Sequence, residues 1–161
     1  MIRKYILTAA FVIVFLNHLF GQVLNTPEII QEQDQWCWAG VSKSILDYYG
    51  YHPSQCEIAE YARNVITWRN FGSINCCLNP NSGCNYWNYN WGYPGSIQDI
   101  LIHFGNIQNS GTGVISLAQI ATQINAGRPI VVRWGWNSGG GHFVVGIIAL
   151  AADNSRCNGA A

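Results

Sequence analysis

The sequence predicts an α+β fold, because segments with helical periodicity come first along the chain and two β-rich segments come last. The chain has 161 residues, of which 49% are hydrophobic, so it is long enough for one domain with a substantial core and is not disordered. Only 10% of the residues are charged, and the acidic and basic residues balance. This composition excludes a basic nucleic-acid-binding surface as the main functional device.

The first segment, residues 1–21, is predicted to be a secretory signal peptide. Two basic residues precede an apolar run from Tyr5 to Leu16, and cleavage is predicted after Gly21. The run is shorter than the roughly 20 residues that span a bilayer, so an uncleaved anchor is the less favoured alternative. We expect residues 22–161 to form one secreted or periplasmic domain without stable membrane association, in a compartment that permits disulfides.

The first two helices are predicted between residues 38 and 65. In the first helix, five apolar residues share a face, and Gly50 follows at the position where glycine commonly ends a helix. In the second, Ser54 and Glu57 form a capping box ahead of the apolar positions. The apolar positions of the two helices are Trp38, Val41, Ile45, Leu46 and Tyr49, then Ile58, Tyr61, Ala62 and Val65.

Two further helices are predicted before the strands. Ser96 opens a short helix over Ile97–Phe104. Ser116 and Gln119 form the capping box of the last helix, which Gly127 ends. The apolar positions of the last helix are Leu117, Ile120, Ala121 and Ile124.

Two strands are predicted over Ile130–Trp136 and Phe143–Leu150, which are rich in valine and isoleucine. The flexible turn Asn137–Gly141 joins them, so the pair is expected to be antiparallel. By contrast, Asn70–Gly95 has no hydrophobic period and is predicted to be an ordered but irregular loop.

Cys37 carries the strongest functional signal. It directly precedes the first apolar helix, where the helix dipole and unpaired amides favour a nucleophilic thiolate, although a cysteine in a secreted protein is more often half of a disulfide. His142 follows three glycines at the head of the second strand and is the predicted general base. Gln31 is the predicted side-chain partner of the Cys37 backbone N–H in an oxyanion hole, with Gln33 and Gln35 as alternatives.

The segments Gln31-x5-Cys37-Trp38-Ala39, with Trp36 before the cysteine, and Gly141–Val145 resemble the papain-like cysteine peptidases. The likeness is closest to a small secreted bacterial branch, related to the double-glycine-leader (C39-like) and AvrRpt2-like (C70) peptidases. It also includes Cys76-Cys77, Cys84-Asn85 and Gly92–Ile97, and extends from about Thr26 to Leu150.

This resemblance implies a papain-like fold, in which a helical N-terminal part with the nucleophile helix packs on an antiparallel sheet. It further implies that Cys37 is the nucleophile, His142 the base and Gln31 the oxyanion donor. The substrate is then a peptide or protein, and the reaction needs neither a cofactor nor a metal. We expect the enzyme to be a monomer.

The family's third catalytic residue is an Asp or Asn beyond the histidine. Asp153 is the predicted residue, with Asn154 and Asn158 as alternatives. The tail after Leu150 lacks a second hydrophobic strand, so we expect the peptidase domain to be truncated by about one strand. Two alternatives stay open: an acyltransferase that uses the same residues, and a catalytically impaired relative that binds peptide or carbohydrate, which the short tail and the aromatic loop suggest.

With the nucleophile free, five cysteines remain. Adjacent Cys76 and Cys77 are poor partners for each other, so we expect Cys56 to pair with one of them and Cys84 with the other. The choice between these two arrangements stays open, and Cys157 is left unpaired. A metal site in this region is disfavoured because the cysteine spacing is not that of a zinc site.

The segment Tyr86–Tyr93 contains five aromatic residues in eight positions. We expect most of these rings to cover the core where regular structure is missing, and the alternative is a platform for peptide or sugar beside the cleft. His52 and His103 have no partner pattern and are expected to be ordinary surface or half-buried residues.

Overall fold

Within the residues that the structure describes, four helices precede a two-stranded antiparallel sheet, which confirms the predicted α+β class. The structure is a computed structural model that describes residues 22–81, 83–111 and 113–148. The elements are α1 (Cys37–Tyr48), α2 (Gln55–Val65), α3 (Ile97–Gly105), α4 (Leu117–Asn125), β1 (Ile130–Gly135) and β2 (Gly141–Gly146).

Two of the sequence-based predictions fall outside the described residues. The signal peptide over residues 1–21 and the tail residues Asp153 and Cys157 both lie there, so their predicted roles stay predictions. Asn154 and Asn158 lie there too. Within the described ranges, no helix is long and apolar enough to cross a membrane.

Helix α1 is buried on nearly all sides, because α2, α3 and β2 pack around it. Trp38, Ala39 and Leu46 have at most 2% of their surface exposed. Even the polar Ser42 is fully buried, and its hydroxyl donates to the Trp38 carbonyl one turn earlier, 2.8 Å away. Burying each large apolar side chain stabilises the fold by about 1.5–3 kcal/mol, so the helix that begins with Cys37 is part of the rigid core.

The predicted helix starts are confirmed by their caps. The hydroxyls of Ser54, Ser96 and Ser116 each accept the backbone N–H three residues later, and the first and third of these are complete capping boxes. Gly50 and Gly127 follow α1 and α4 with φ angles of +86° and +72°, the left-handed backbone that favours glycine. Local chemistry therefore sets the ends of these helices.

The sheet register corrects the predicted start of the second strand. Gly135 pairs with Gly141 and Trp134 pairs with His142, so β2 begins two residues before Phe143. The start of β2 was not predictable from the three glycines, because a glycine run is typical of a turn and weakens the strand signal. As a result, His142 lies within the paired strand and is held by its register.

The chain that precedes α1 joins the far end of β2. The backbone N–H of Leu24 donates to the carbonyl of Ile147, 2.9 Å away, and Val23 forms an isolated antiparallel bridge with Ile148. Leu24 also packs with Ile124 of α4 in a small second core. The start of the described chain and the end of β2 are therefore tied together beside α1.

Two disulfides hold the irregular segment between α2 and α3. They join Cys56 to Cys77 and Cys76 to Cys84, which is one of the two arrangements expected from the sequence. Cys37 is a free thiol. Within the described residues, no cluster of histidine, cysteine and carboxylate side chains is arranged to hold a metal ion.

Candidate active site

A cleft of about 410 Å³ lies where α1, β2 and segment 26–31, which precedes α1, meet. Helix α1 contributes Cys37, Gly40 and Val41, while β2 contributes His142. The third side is segment 26–31, which includes Gln31. The cleft thus brings together three of the four site residues predicted from the sequence. The fourth, Asp153, lies outside the described residues.

Cys37 is the first residue of α1, and its free thiol is half-buried in the cleft. The residue before it, Trp36, makes no side-chain capping bond, and the first turn of the helix contains no acidic residue. Within the described residues, the Cys37 backbone N–H makes no hydrogen bond. The positive end of the helix is therefore left without a protein acceptor at the cysteine, where it can stabilise an anion.

His142 is exposed on the opposite side of the cleft, one residue into β2. In the described part of the chain, no hydrogen bond joins the Cys37 and His142 side chains. Hydrogen bonds between catalytic groups are often long in the absence of substrate and tighten when it binds, so a contact is not required in this state.

Gln31 is the one glutamine of the three predicted alternatives that lines the cleft; Gln33 and Gln35 do not. The side-chain Nε2 of Gln31 donates to the carbonyl of Gln33. An amide nitrogen carries two hydrogens, so one N–H of Gln31 remains for a ligand in the cleft.

Segment 26–31 is held against the helices by two buried or half-buried side chains. The hydroxyl of Ser44 on α1 donates to the Pro27 carbonyl, and the Nε2 of Gln55 on α2 donates to the Ile30 carbonyl, both at 2.7 Å. Apart from Gln31, the residues on this side of the cleft carry no signal in the sequence. The Thr26-Pro27 pair favours extended backbone, but it has no periodicity that would place it beside β2.

The two tryptophans that flank the cysteine are anchored to one short loop. The indole N–H of Trp36 donates to the Cys84 carbonyl at 2.7 Å, and that of Trp38 donates to the Tyr86 carbonyl at 2.6 Å. Both indoles are buried. Because the loop accepts a hydrogen bond from the residue on each side of Cys37, the start of α1 is held by tertiary contacts in place of a side-chain cap.

This loop is connected to α2 through Glu60. The Glu60 carboxylate accepts the Cys76 backbone N–H at 2.8 Å and pairs with Arg63 one turn along the helix. The hydrogen bond from Arg63 is the main reason that the pKa of Glu60 is lowered. The pair therefore holds Cys76 in place. Cys76 is bonded to Cys84, whose carbonyl accepts the Trp36 indole N–H.

The aromatic segment 86–93 does not form part of the cleft. Tyr86 packs against the main core, and Trp87 stacks on Trp68 with 4.9 Å between ring centroids. Trp87, Trp91 and Tyr93 are nevertheless exposed, so the expected core covering holds for only part of the segment.

The other two described histidines are also remote from the cleft. His52 contacts Asp47 at the end of α1, and His103 stacks on Tyr61 with 3.8 Å between ring centroids. Both contacts agree with the structural roles expected for them.

A free cysteine at the start of a helix, sharing a cleft with a histidine from a β-strand, is an arrangement typical of cysteine peptidases. Comparison with protein families identifies the family: residues 23–150 match the Peptidase_C39 like family, and the chain belongs to it. The family membership predicted from the sequence motifs is thereby confirmed. No curated protein and no solved structure matches the chain significantly.

Proposed function

We propose that this protein is a secreted papain-like cysteine peptidase that hydrolyses peptide bonds. The observation that carries the proposal is the single cleft lined by Cys37, His142 and Gln31, in a member of a cysteine peptidase family. These three side chains come from a helix, a strand and the irregular segment before the helix, so each is held by a different part of the fold.

In the first step, the Cys37 thiolate attacks the carbonyl carbon of the scissile peptide. The C–N bond then breaks, and the imidazolium of His142 gives its proton to the leaving amine. The product that stays on the enzyme is a thioester between the Cys37 Sγ and the acyl part of the substrate.

The negative charge that develops on the carbonyl oxygen needs donors in fixed positions. The Cys37 backbone N–H and the remaining N–H of Gln31 supply them at the positive end of α1. Losing one such donor lowers kcat by about 10²–10³-fold in related chemistry, so we expect kcat to depend strongly on the Gln31 side chain.

In the second step, neutral His142 takes a proton from water, which attacks the thioester and releases the acid product. Asp153 is proposed to orient the imidazole for both steps, as an acidic residue does in the Ser-His-Asp arrangement. An amine in place of water would give acyl transfer by the same residues.

The shape of the cleft favours an extended peptide. Strand β2 pairs with β1 through one edge, and among the described residues the other backbone partner near its end is Leu24, which donates to Ile147 just beyond the strand. On the other side, segment 26–31 has no regular secondary structure, and the side-chain hydrogen bonds described above engage two of its six carbonyls. A substrate strand lying between them can therefore hydrogen-bond to backbone on both sides.

The test uses residues 22–161 under mild reduction, with a cysteine-directed epoxide as the labelling reagent and a peptide pool as substrate. We expect labelling at Cys37 and cleavage of peptides in the pool, both abolished in His142→Ala. The control variant His52→Ala, which removes an exposed histidine outside the cleft, should retain both.

Absence of both labelling and cleavage in the unmodified protein would overturn the proposal. Products that form only when an amine is added would indicate an acyltransferase instead. Retention of peptide binding in Cys37→Ser without any turnover by the unmodified protein would indicate a binding relative.

A further inference from the structure

Each of the three residues of the loop Cys84–Tyr86 accepts a hydrogen bond from the segment 35–38, which contains Cys37. The first and last members of the loop accept the indole N–H groups of Trp36 and Trp38 through their carbonyls. Between them, the side-chain Oδ1 of Asn85 accepts the backbone N–H of Gln35 at 2.9 Å. Asn85 is therefore the only one of the three that uses its side chain in these contacts.

The hydrogen bond that Asn85 accepts from the Gln35 N–H holds the turn that leads into α1. In this turn, the Trp36 N–H donates to the Gln33 carbonyl at 2.9 Å. The same Gln33 carbonyl accepts the side-chain amide of Gln31. One carbonyl oxygen thus connects the start of the nucleophile helix with the side chain proposed to hold the oxyanion.

We infer that Asn85 is a positioning residue for Gln31. By holding the Gln35 N–H, it sets the direction of the Gln33 carbonyl, and that carbonyl sets the direction of the Gln31 amide in the cleft. This inference rests on the proposed function for its effect on catalysis, but the effect on the Gln31 amide exists whether or not the protein is a peptidase.

Asn85 suits this role because the rest of the loop is already held without it. The disulfide to Cys76 and the two indole bonds keep the loop in place. The bond between Asn85 and Gln35 is itself exposed, so its loss should cost little stability. A change in the side chain of Asn85 can therefore alter the turn while the fold stays intact.

The experiment compares Asn85→Leu, which removes the acceptor, with Asn85→Asp, which retains an Oδ1 acceptor. In isotope-labelled protein, the side-chain amide signals of Gln31 are assigned by their loss in Gln31→Met and followed by NMR. We expect these signals to shift and exchange faster in Asn85→Leu and to return towards their original state in Asn85→Asp. The indole signals of Trp36 and Trp38 should stay in place in both variants.

The kinetic part uses the peptide that the unmodified protein cleaves best. In Asn85→Leu we expect kcat to fall about tenfold with little change in KM, because a misplaced oxyanion donor acts on the transition state. Alkylation of Cys37 by iodoacetamide needs no oxyanion donor and should be unchanged. The control Asn70→Leu removes a similar bond outside the cleft, in which the Gly72 N–H donates to Asn70 Oδ1, and should leave kcat unchanged.

Unchanged Gln31 signals in Asn85→Leu would overturn the inference, as would equal losses of kcat in the Leu and Asp variants. If Asn85→Leu does not fold, Asn85→Ala is measured by the same criteria. If the unmodified protein cleaves no peptide and its thiol is unreactive, the proposed function fails, and the NMR comparison alone still decides the role of Asn85.

Discussion

The indole N–H of Trp38 donates a hydrogen bond to the carbonyl of Tyr86, 2.6 Å away and 48 residues later in the chain. Trp38 directly follows the candidate nucleophile and is 2% exposed. This hydrogen bond, which is partly buried, joins the position of the thiol to a loop that has no regular structure of its own. The geometry of the cleft therefore depends on contacts between distant parts of the sequence.

Removing the Trp38 donor should destabilise the protein. In Trp38→Phe, the Tyr86 carbonyl loses its donor and part of the indole volume is left empty. We expect the free energy of unfolding to fall by about 2–3 kcal/mol. Unfolding in urea measures the loss, and a variant as stable as the unmodified protein would show that this bond adds nothing to stability. Trp87→Phe, a substitution at an exposed indole, is the matched control and should cost much less.

Gln31 should affect catalysis and not the reactivity of the thiol. We expect Gln31→Leu to lower kcat about 10²-fold or more, since one of two oxyanion donors is lost. The rate of Cys37 alkylation by iodoacetamide should stay within about twofold, because that reaction forms no oxyanion. Gln35→Leu, which changes an exposed side chain outside the cleft, serves as the control. Equal activity of Gln31→Leu and Gln35→Leu would remove Gln31 from the mechanism.

Activity should pass through a maximum as the concentration of a dithiol reductant is raised. Cys37 must be reduced to act, whereas the bond Cys76–Cys84 must stay oxidised to hold the loop. Both of those disulfide cysteines are at most 1% exposed, so their reduction needs the higher concentration. A steady rise to a plateau, with the disulfide shown to be reduced by mass spectrometry, would contradict this expectation.

Replacing both cysteines of the same disulfide by alanine measures what the disulfide contributes to stability and to kcat. The chain-entropy relation predicts a loss of about 3 kcal/mol for Cys76→Ala with Cys84→Ala, and a similar loss for Cys56→Ala with Cys77→Ala. Only the first pair releases the residue that accepts the Trp36 indole, so we expect the larger loss of kcat there. Thermal unfolding and kcat are measured for both pairs, and equal kcat values would argue against the role of the loop.

Acid should weaken the protein through Glu60. Its pKa is lowered in the folded state from an ordinary value of 4.5, chiefly by the hydrogen bond from Arg63. A lowered pKa means that the folded state favours the carboxylate, so this contribution to stability is complete above pH 4.5 and disappears as the pH falls through the folded-state pKa.

Glu60→Gln should therefore lose stability at neutral pH and depend less on pH below 4.5 than the unmodified protein. Urea unfolding from neutral to acidic pH measures both effects. Glu32→Gln, at an exposed carboxylate on the loop before α1, should follow the unmodified protein. If Glu60→Gln and the unmodified protein lose stability in parallel below pH 4.5, the pair with Arg63 does not contribute as described.

The sequence alone was sufficient for features that depend on residues close to one another in the chain. A capping serine such as Ser54 binds an amide three residues away, and a glycine such as Gly50 adopts its left-handed backbone wherever the chain must turn. The position of Cys37 at the start of an amphipathic helix is local in the same sense, although the helix includes Cys37 as its first residue and so begins one residue earlier than predicted. Such chemistry can be read within a short window of sequence, and these predictions are confirmed.

The start of β2 and the choice of disulfide needed more than local sequence. Pairing of His142 with Trp134 requires the register of the whole hairpin, which a glycine-rich turn conceals. The choice between Cys76 and Cys77 as the partner of Cys84 depends on the path of a loop without periodicity. In both cases, the deciding contacts involve backbone placement that residue type does not specify.

The sequence itself thus indicated the family and the candidate nucleophile, base and oxyanion donor, which are Cys37, His142 and Gln31. These roles can be assigned from sequence because each requires a particular side-chain chemistry. Only the tertiary structure decided that Ser44 and Gln55 hold one side of the cleft and that Asn85 lies against the turn before the cysteine. Those bonds join a side chain to a distant backbone group. All backbone N–H groups, and all carbonyls, are chemically alike, so only the tertiary structure determines which one lies within hydrogen-bonding distance.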